Sequence, residues 1–210
     1  SILLSQNMNA HLWSGISVST SDNLDALNLN PAGLGVNRGD QFGIAFKQIP
    51  DGNGNYYFGM TNRTESGFAS EIYYDEQSIK TVLAYGMSIS KDLYSGFKYH
   101  SKTDYSFGLL YRPLNLLSIG ATKFSNKARS YDNLRYGFAF RPFSLEKLNK
   151  IVNSYIGLPT NFTIGYDKTS SELDNSFQEQ YFISATITPG IDFSLFKFNQ
   201  TTNDSYGFNI

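Results

Sequence analysis

The feature that most constrains the fold is a strict alternation of large apolar residues with small or charged ones. In residues 134–141, Leu134, Tyr136, Phe138 and Phe140 alternate with Arg135, Gly137, Ala139 and Arg141. A period of two is that of a β-strand, because successive side chains of a strand point to opposite faces. The pattern therefore predicts β-strands with large apolar side chains on one face and small or polar side chains on the other.

This alternation predicts about twelve strands. It is strong in residues 78–91, 93–101, 105–112 and 134–141, and weaker in eight further segments: 41–48, 55–61, 66–74, 116–125, 161–168, 177–188, 190–199 and 205–210. Small residues opposite aromatic ones favour a narrow, crowded interior. The fold class is predicted to be all-β, an antiparallel transmembrane β-barrel of about 12 to 14 strands. Residues 1–40 are expected to form an N-terminal plug or lead-in segment, and residues 41–210 the barrel. The alternative is a soluble β-sandwich, whose outward faces normally carry Thr, Lys and Glu.

The connections between the predicted strands favour the barrel. Alternate connections are tight or contain proline, as at 91–92, 112–115 and 189–190, whereas those between them are polar and often longer. Short turns at one end and longer loops at the other are typical of bacterial barrels. Residues 107–116 are echoed by residues 136–145, 29 positions later (136 − 107), and both copies contain Arg-Pro. The two Arg-Pro turns are therefore expected on the same rim, and residues 145–156 are expected to form either a short amphipathic helix or a long ordered turn.

Composition supports a surface that is not wholly in water. Charged residues make up 17% of the chain and aromatic residues 16%, and no apolar run is long enough for a membrane helix. The net charge of −1 provides no basic field for nucleic acid, so no nucleic-acid partner is expected. Cysteine is absent, which excludes disulfides and thiolate chemistry. Residues 1–6 lack the features of a signal peptide, so we expect a mature or trimmed chain.

A short motif precedes the first predicted strand. Ser21 or Asp22 is expected to cap a short helix through Leu27, and Pro31 is expected to end it. The sequence Asn30, Pro31, Ala32 and Gly33 then resembles the Asn-Pro-Ala-Gly signature of the long-chain fatty acid transporter superfamily of outer-membrane barrels. The resemblance implies a bacterial outer-membrane barrel with an N-terminal plug. Related barrels serve as subunits of Bacteroidetes secretion machinery, and the Arg-Pro turns with Leu117 to Gly120 also resemble the barrel region of long signal peptide peptidase-like proteins.

Basic residues in the strands are expected to face the lumen or its rim, where charge avoids lipid. They are Lys80, Lys98, Arg112, Lys123, Arg135 and Arg141. The two histidines, His11 and His100, are far apart in sequence, and nucleophile and phosphate-binding motifs are missing. We expect no catalytic residues, no cofactor and no metal, and a plain hairpin turn explains the acidic segment 50–55.

These observations lead to one leading functional hypothesis and two alternatives. The leading one is an integral outer-membrane barrel that transports a small hydrophobic compound or anchors an envelope protein assembly. Its partners would be outer-membrane lipid, a hydrophobic ligand and other subunits of an envelope complex. The alternatives are a membrane-anchoring barrel region of a signal peptide peptidase-like protein and a soluble β-sandwich binding module.

Overall fold

The structure, a computed structural model, describes residues 16–36, 39–48, 54–63, 66–75, 78–100, 104–126, 131–144, 162–171, 177–188, 191–200 and 204–209. These residues form twelve strands and three short 3₁₀ helices. The strands are β1 (Gln41–Gln48), β2 (Gly54–Arg63), β3 (Ser66–Asp75), β4 (Ser78–Ser90), β5 (Leu93–His100), β6 (Asp104–Leu114), β7 (Leu117–Asn126), β8 (Tyr131–Phe140), β9 (Phe162–Ser171), β10 (Phe177–Thr188), β11 (Ile191–Gln200) and β12 (Asp204–Asn209). Within this part of the chain, no helix is long and apolar enough to span a membrane.

All twelve strands belong to one sheet, and each strand pairs antiparallel with its sequence neighbour. The predicted all-β, antiparallel fold is confirmed. The sheet is an up-and-down meander rather than the two packed sheets of a sandwich. Its first and last strands, β1 and β12, form no ladder with each other among the described residues.

The strands are staggered along the sheet. We call the end with the turns at 91–92 and 115–116 the turn end, and the opposite end the loop end. At the loop end, Asn126 of β7 pairs with Tyr131, whereas Ser171 of β9 pairs with Asn133, two residues further into β8. The same step of two residues separates the loop ends of β9 and β11. From β7 to β11 the strands are therefore displaced in a constant direction, whereas the loop ends of β5 and β7 are level, because His100 and Asn126 both pair with Asp104.

The two faces of the sheet have different chemistry. The covered face packs against residues 16–36, here called the N-terminal segment, and carries mainly small side chains. The other face, called the exposed face, presents large apolar side chains along the strands. Representative members are Phe68, Leu83, Phe97, Phe107, Ile119, Phe138, Ile183 and Leu195.

The N-terminal segment differs in detail from the predicted helix. It contains two 3₁₀ helices, Leu24–Leu27 and Pro31–Gly35. Asn23, not Ser21 or Asp22, occupies the N-cap of the first, and its side chain makes no capping bond. Pro31 begins the second helix instead of ending the first, because proline lacks an N–H and suits the first helical position.

A small apolar core joins this segment to the sheet. Leu24, Ala26, Leu27 and Leu34 of the segment pack with the covered-face residues Ala69, Val82 and Ala84. Small covered-face side chains let the segment approach β3 and β4 closely. The core therefore lies between the N-terminal segment and the sheet.

The two Arg-Pro turns lie on the same rim, as predicted. The backbone N–H of Arg141 donates to the carbonyl of Leu116, which lies in the turn after β6, at 2.8 Å. The segment predicted as an amphipathic helix, residues 145–156, lies outside the described residues, as do residues 1–15 and His11.

Candidate functional site: the seat of the N-terminal segment

Four glycines form a row across the covered face. Gly67, Gly86, Gly96 and Gly108 are direct partners in successive strands from β3 to β6. A Cβ atom added at any of them would lie within 3.0 Å of atoms in residues 30–35. Glycine is therefore required here because the N-terminal segment touches the backbone of the sheet, through its own backbone at Gly67, Gly86 and Gly96 and through the Asn30 and Pro31 side chains at Gly108.

Asn30 connects the N-terminal segment to the sheet. Its side chain is fully buried. The Nδ2 group donates to the carbonyl of Val18 at 2.8 Å and to the carbonyl of Leu109 in β6 at 3.0 Å. Its Oδ1 atom accepts from the N–H of Ala32 at 3.1 Å, which caps the second 3₁₀ helix. A single amide thus holds together two parts of the segment and one strand.

The other residues of the Asn-Pro-Ala-Gly motif pack in the same contact between the N-terminal segment and the covered face. Pro31 sets the backbone angle of the first helical residue, and its carbonyl lies over Gly96. Ala32 is completely buried. A Cβ atom at Gly33 would overlap the carbonyl of Ser21. Each motif residue therefore has a packing or hydrogen-bonding reason for its identity.

Arg112 fastens the segment at the turn end. Its Nη1 atom lies 2.8 Å from Oδ2 of Asp22, and both side chains are largely buried. Nε donates to the hydroxyl of Ser118 at 2.8 Å, and Nη2 donates to the carbonyl of Ser19. The guanidinium thus joins β6, β7 and the N-terminal segment.

Arg135 and Asp167 form a second buried fastening on β8 and β9. Arg135 Nη2 lies 2.9 Å from Oδ2 of Asp167, which is 1% exposed. The carboxylate also accepts from the hydroxyl of Ser17 and from the N–H of Val18. Arg135 Nη2 further donates to Gln180 of β10 at 3.0 Å. A buried carboxylate with this many donors is satisfied, so the arrangement is a fixed support.

Between the contacts of Arg112 and those of Arg135, the N-terminal segment lies directly on β6 and β7. The hydroxyl of Thr122 donates to the carbonyl of Leu29 at 2.9 Å. A Cβ atom at Gly120 would lie within 3.0 Å of the backbone of Val18 and Ser19. The contact is therefore continuous from β3 to β9.

Lys80 and Lys98 also lie on the covered face, towards the loop end. Lys98 experiences the charges of Glu71, which is buried, and Asp104. Nδ1 of His100 lies 3.8 Å from Oδ2 of Asp104. This group of charges belongs to β3–β6 and is separate from the contacts of Arg112 and Arg135. The structure thus divides the predicted basic set among different places.

Two of the predicted basic residues do not lie on the covered face of a strand. Arg141 follows the end of β8 and is half-buried at the rim. Lys123 is corrected: it lies on the exposed face, paired in register with Phe107 and Leu134, and its ammonium is 2.5 Å from Oδ2 of Asp132. Period two places residue 123 with Ile119, so the spacing within β7 already assigned it to that face.

Asp167 was not predicted from the sequence to be a site residue, and Asp22 was predicted only as a helix cap, whereas in the structure it pairs with Arg112. Asp167 stands between Gly165 and Thr169 on the side of β9 that alternates with Ile164 and Tyr166. An acid on the face that elsewhere carries arginine was the available signal. The partner of each acid could not be read from the chain, because Ser17 and Asp167 are 150 positions apart.

No group of three or more potential metal ligands occurs among the residues that the structure describes. Comparison of the chain with protein-family models, with curated proteins and with solved structures finds no match. The resemblance of residues 30–33 to the fatty acid transporter superfamily therefore stays a prediction.

Proposed function

We propose that this chain is an integral β-barrel of a bacterial outer membrane whose interior is closed by its N-terminal segment, and that it anchors an envelope protein assembly. The observation that carries the proposal is the exposed face. Large apolar side chains project from it in strands across the sheet, while the N-terminal segment packs against the opposite face from β3 to β9.

The extent of this apolar face argues for lipid as its environment. Soluble monomers rarely expose contiguous apolar patches larger than about 300–600 Å². Here Phe97, Phe107 and Phe138 are each between 40% and 50% exposed, and apolar neighbours continue along and across the strands. Lipid tails would cover such a face on every strand, as they do in outer-membrane barrels.

The stagger of the strands supports closure of the sheet. The step of two residues per pair of strands from β7 to β11 is about 6.6 Å along the strands for about 9.6 Å across them, from about 3.3 Å per residue and about 4.8 Å per strand. The corresponding strand tilt is about 35°, which lies in the range found for closed barrels. Closure would pair β1 with β12 and would remove both open edges of the sheet.

The packed interior favours anchoring over an open pore. The N-terminal segment touches the sheet backbone at the glycine row, and Asn30, Arg112 and Arg135 hold it from β6 to β9. A water-filled channel has no place between surfaces in van der Waals contact. An interior filled in this way leaves no open pore, so we favour an anchoring role over transport.

A second candidate, transport of a small hydrophobic compound, is favoured by one part of the covered face. Phe182 and Phe198 are buried on β10 and β11, and the ring of Phe196 lies 5.0 Å from that of Phe198. These rings form an apolar wall beyond the part of the sheet that the segment covers. Organic extraction of the purified protein followed by mass spectrometry would detect a bound compound.

Fluorescence quenching tests the membrane proposal directly. In a Trp13→Phe background, a tryptophan replaces Tyr136 on the exposed face or Phe182 on the covered face. After refolding into vesicles with brominated acyl chains, we expect strong quenching at position 136 and little at position 182. Solubility as a monomer without detergent, or equal weak quenching at both positions, would overturn the proposal.

A further inference from the structure

The apolar band of the exposed face is not equally tall on all strands. On β4 the exposed-face residues from 79 to 89 are large and apolar except for Thr81. This run is about 27 Å tall at about 3.3 Å per residue and a tilt of about 35°, close to the roughly 25 Å band of outer-membrane barrels. On β7 the apolar run covers only residues 117–121 and on β9 only residues 162–166, about 11 Å in each case. The band is therefore less than half as tall on β7 and β9 as on β4.

The difference lies at the loop end. At the turn end, the run on β4 stops two residues before the turn at 91–92 (91 − 89), and the run on β7 starts directly after the turn at 115–116. At the loop end, Ile79 is 72% exposed at the start of β4, whereas Lys123 is the next exposed-face residue after Ala121 on β7. A tilt of the whole barrel would shift both limits of the band, so tilting does not account for the difference.

Polar groups take the place of the apolar band at the loop end of β7–β11. We call this area the polar patch, and its members are Lys123, Asp132, Lys168, Phe177, Glu179 and Lys197. Lys123 and Lys168 each lie three residues before the loop end of their strand (126 − 123 and 171 − 168). The residue at the same position in β3 is Ile72, which is 46% exposed (75 − 72). The patch is therefore confined to one side of the sheet.

The polar patch is ordered by its own contacts. Lys123 Nζ lies 2.5 Å from Oδ2 of Asp132, and Lys168 Nζ lies 3.4 Å from Oε1 of Glu179. The hydroxyls of Tyr166 and Tyr181 both donate to the Glu179 carboxylate. These bonds hold the side chains in one arrangement. A partner that binds there meets a preformed surface, and binding to such a surface costs less side-chain entropy.

Phe177 stands out within the polar patch. Its side chain is 42% exposed, and the Lys168 ammonium lies 4.7 Å from the centre of its ring. Its direct partner in β9 is Ser170, and Glu179 is the next residue on the same face of β10. An exposed aromatic ring surrounded by polar groups has the composition of a protein–protein contact, in which an aromatic anchor fills a pocket and polar groups form the rim.

Lipid alone fits the polar patch poorly. Headgroups meet the barrel at one depth on every strand, because the surface of a bilayer is level. To bring headgroups to the patch, the bilayer would have to thin by about 16 Å on one side only (27 − 11), and each ångström of mismatch costs free energy. A protein surface that covers the patch removes the need for this deformation.

We infer that the polar patch is the docking surface for a protein subunit of the envelope assembly, an inference that rests on the proposed anchoring role. The partner presents an apolar pocket to Phe177 and hydrogen-bonding groups to the ion pairs of Lys123 and Lys168. It binds at the loop end of β7–β11, and lipid covers the exposed face of β3 and β4.

Nitroxide accessibility separates this inference from the proposed function. The chain has no cysteine, so a single introduced cysteine carries one label. In isolated outer membranes, a label replacing Ser170 should be accessible neither to oxygen, which enriches in lipid, nor to a nickel chelate, which stays in water. In vesicles of the purified protein it should become accessible to the nickel chelate. A label replacing Ile72, the matched control, should be accessible to oxygen in both.

Each other result has a distinct meaning. Accessibility of position 170 to the nickel chelate in both preparations would assign the polar patch to lipid headgroups, and inaccessibility in both would mean that the chain covers the patch itself. Either result would overturn the docking surface and leave the barrel standing. Low accessibility of position 72 to oxygen in both preparations would overturn the barrel itself.

Photocrosslinking tests the anchor residue. With benzoylphenylalanine at position 170, Phe177→Ala should lower the yield of the crosslinked product in isolated outer membranes by about ten-fold or more. Ile72→Ala, which removes an apolar side chain at the corresponding position of β3, should leave the yield unchanged. Heat-modifiable gel migration verifies that both variants fold. An unchanged yield in Phe177→Ala, or no crosslinked product at all, would overturn docking at the patch.

Discussion

Asn30 offers a sharp test of how the N-terminal segment is held. The side chain is fully buried and makes three hydrogen bonds, with the carbonyls of Val18 and Leu109 and with the N–H of Ala32. Replacing Asn30 with alanine removes all three. The partners stay in place, because they belong to the backbone.

The expected cost follows from those bonds. Each buried hydrogen bond contributes about 1 kcal/mol net, and a buried group left without a partner costs about 1–3 kcal/mol. We therefore expect Asn30→Ala to lower the free energy of unfolding by about 2–4 kcal/mol. Asn30→Asp should cost more, because it retains the acceptor for Ala32 but places a carboxylate against two carbonyl oxygens.

The assay is urea unfolding of the refolded protein in detergent, followed by tyrosine fluorescence and by the mobility of unheated protein on gels. Asn28→Ala is the matched control. Asn28 lies in the same segment, is half-buried and makes no side-chain hydrogen bond within the described part of the chain, so its loss should change stability by less than about 0.5 kcal/mol. Equal effects of the Asn30 and Asn28 alanine variants would refute the role assigned to Asn30.

Three further substitutions test other parts of the structure. Gly96→Ala should destabilise the protein by about 1–3 kcal/mol and increase protease cleavage of the N-terminal segment, because the added methyl group meets that segment's backbone; unchanged cleavage would contradict the packing. Arg135→Met should cost about 3–5 kcal/mol in chemical unfolding, because it strands the buried Asp167 carboxylate, and adding Asp167→Asn should recover part of the loss; no recovery would argue against the pair. Leu109→Arg, in the middle of β6, should lower the free energy of unfolding in vesicles by about 2–4 kcal/mol. Leu114→Arg, at the end of β6, should lower it by at most about 1 kcal/mol. Equal losses would contradict insertion in lipid.

The alternation of large apolar residues with small or charged ones made most of the sheet predictable. Residues 134–141 alternate so regularly that strand, face and the side of Arg135 follow from the sequence alone. Lys123 was placed on the wrong side because the preference of lysine for water was given more weight than its spacing from Ile119. The register shift between Tyr111 and Leu114 contains Pro113, which cannot donate to a ladder; the sequence indicated a turn at 112–115, whereas β6 continues through the irregularity to Leu114.

The packing of the N-terminal segment on the sheet was less predictable from the sequence. The Asn-Pro-Ala-Gly motif indicated a structured segment, but its conformation depends on distant glycines such as Gly96 and Gly108. The sequence alone does not show whether a glycine in a strand lies at a bulge, near a turn or against another stretch of backbone. The two 3₁₀ helices were misassigned for a related reason. The first has no side-chain cap, and Asn30, which caps the second, is also held in place by its tertiary hydrogen bond to Leu109.

The span of the contacts of Ser17 has a consequence for the order of folding. Its hydroxyl bonds to Asp167, 150 residues later, so the first described part of the chain completes its contacts only when β9 is in place. The glycine row brings β3 to β6 into direct contact with residues 30–35, so these strands reach their final packing only together with that segment. Contacts of such long range slow folding. A chain that lacks residues 16–36 should therefore refold more completely when a peptide of residues 16–36 is present during refolding than when the peptide is added afterwards.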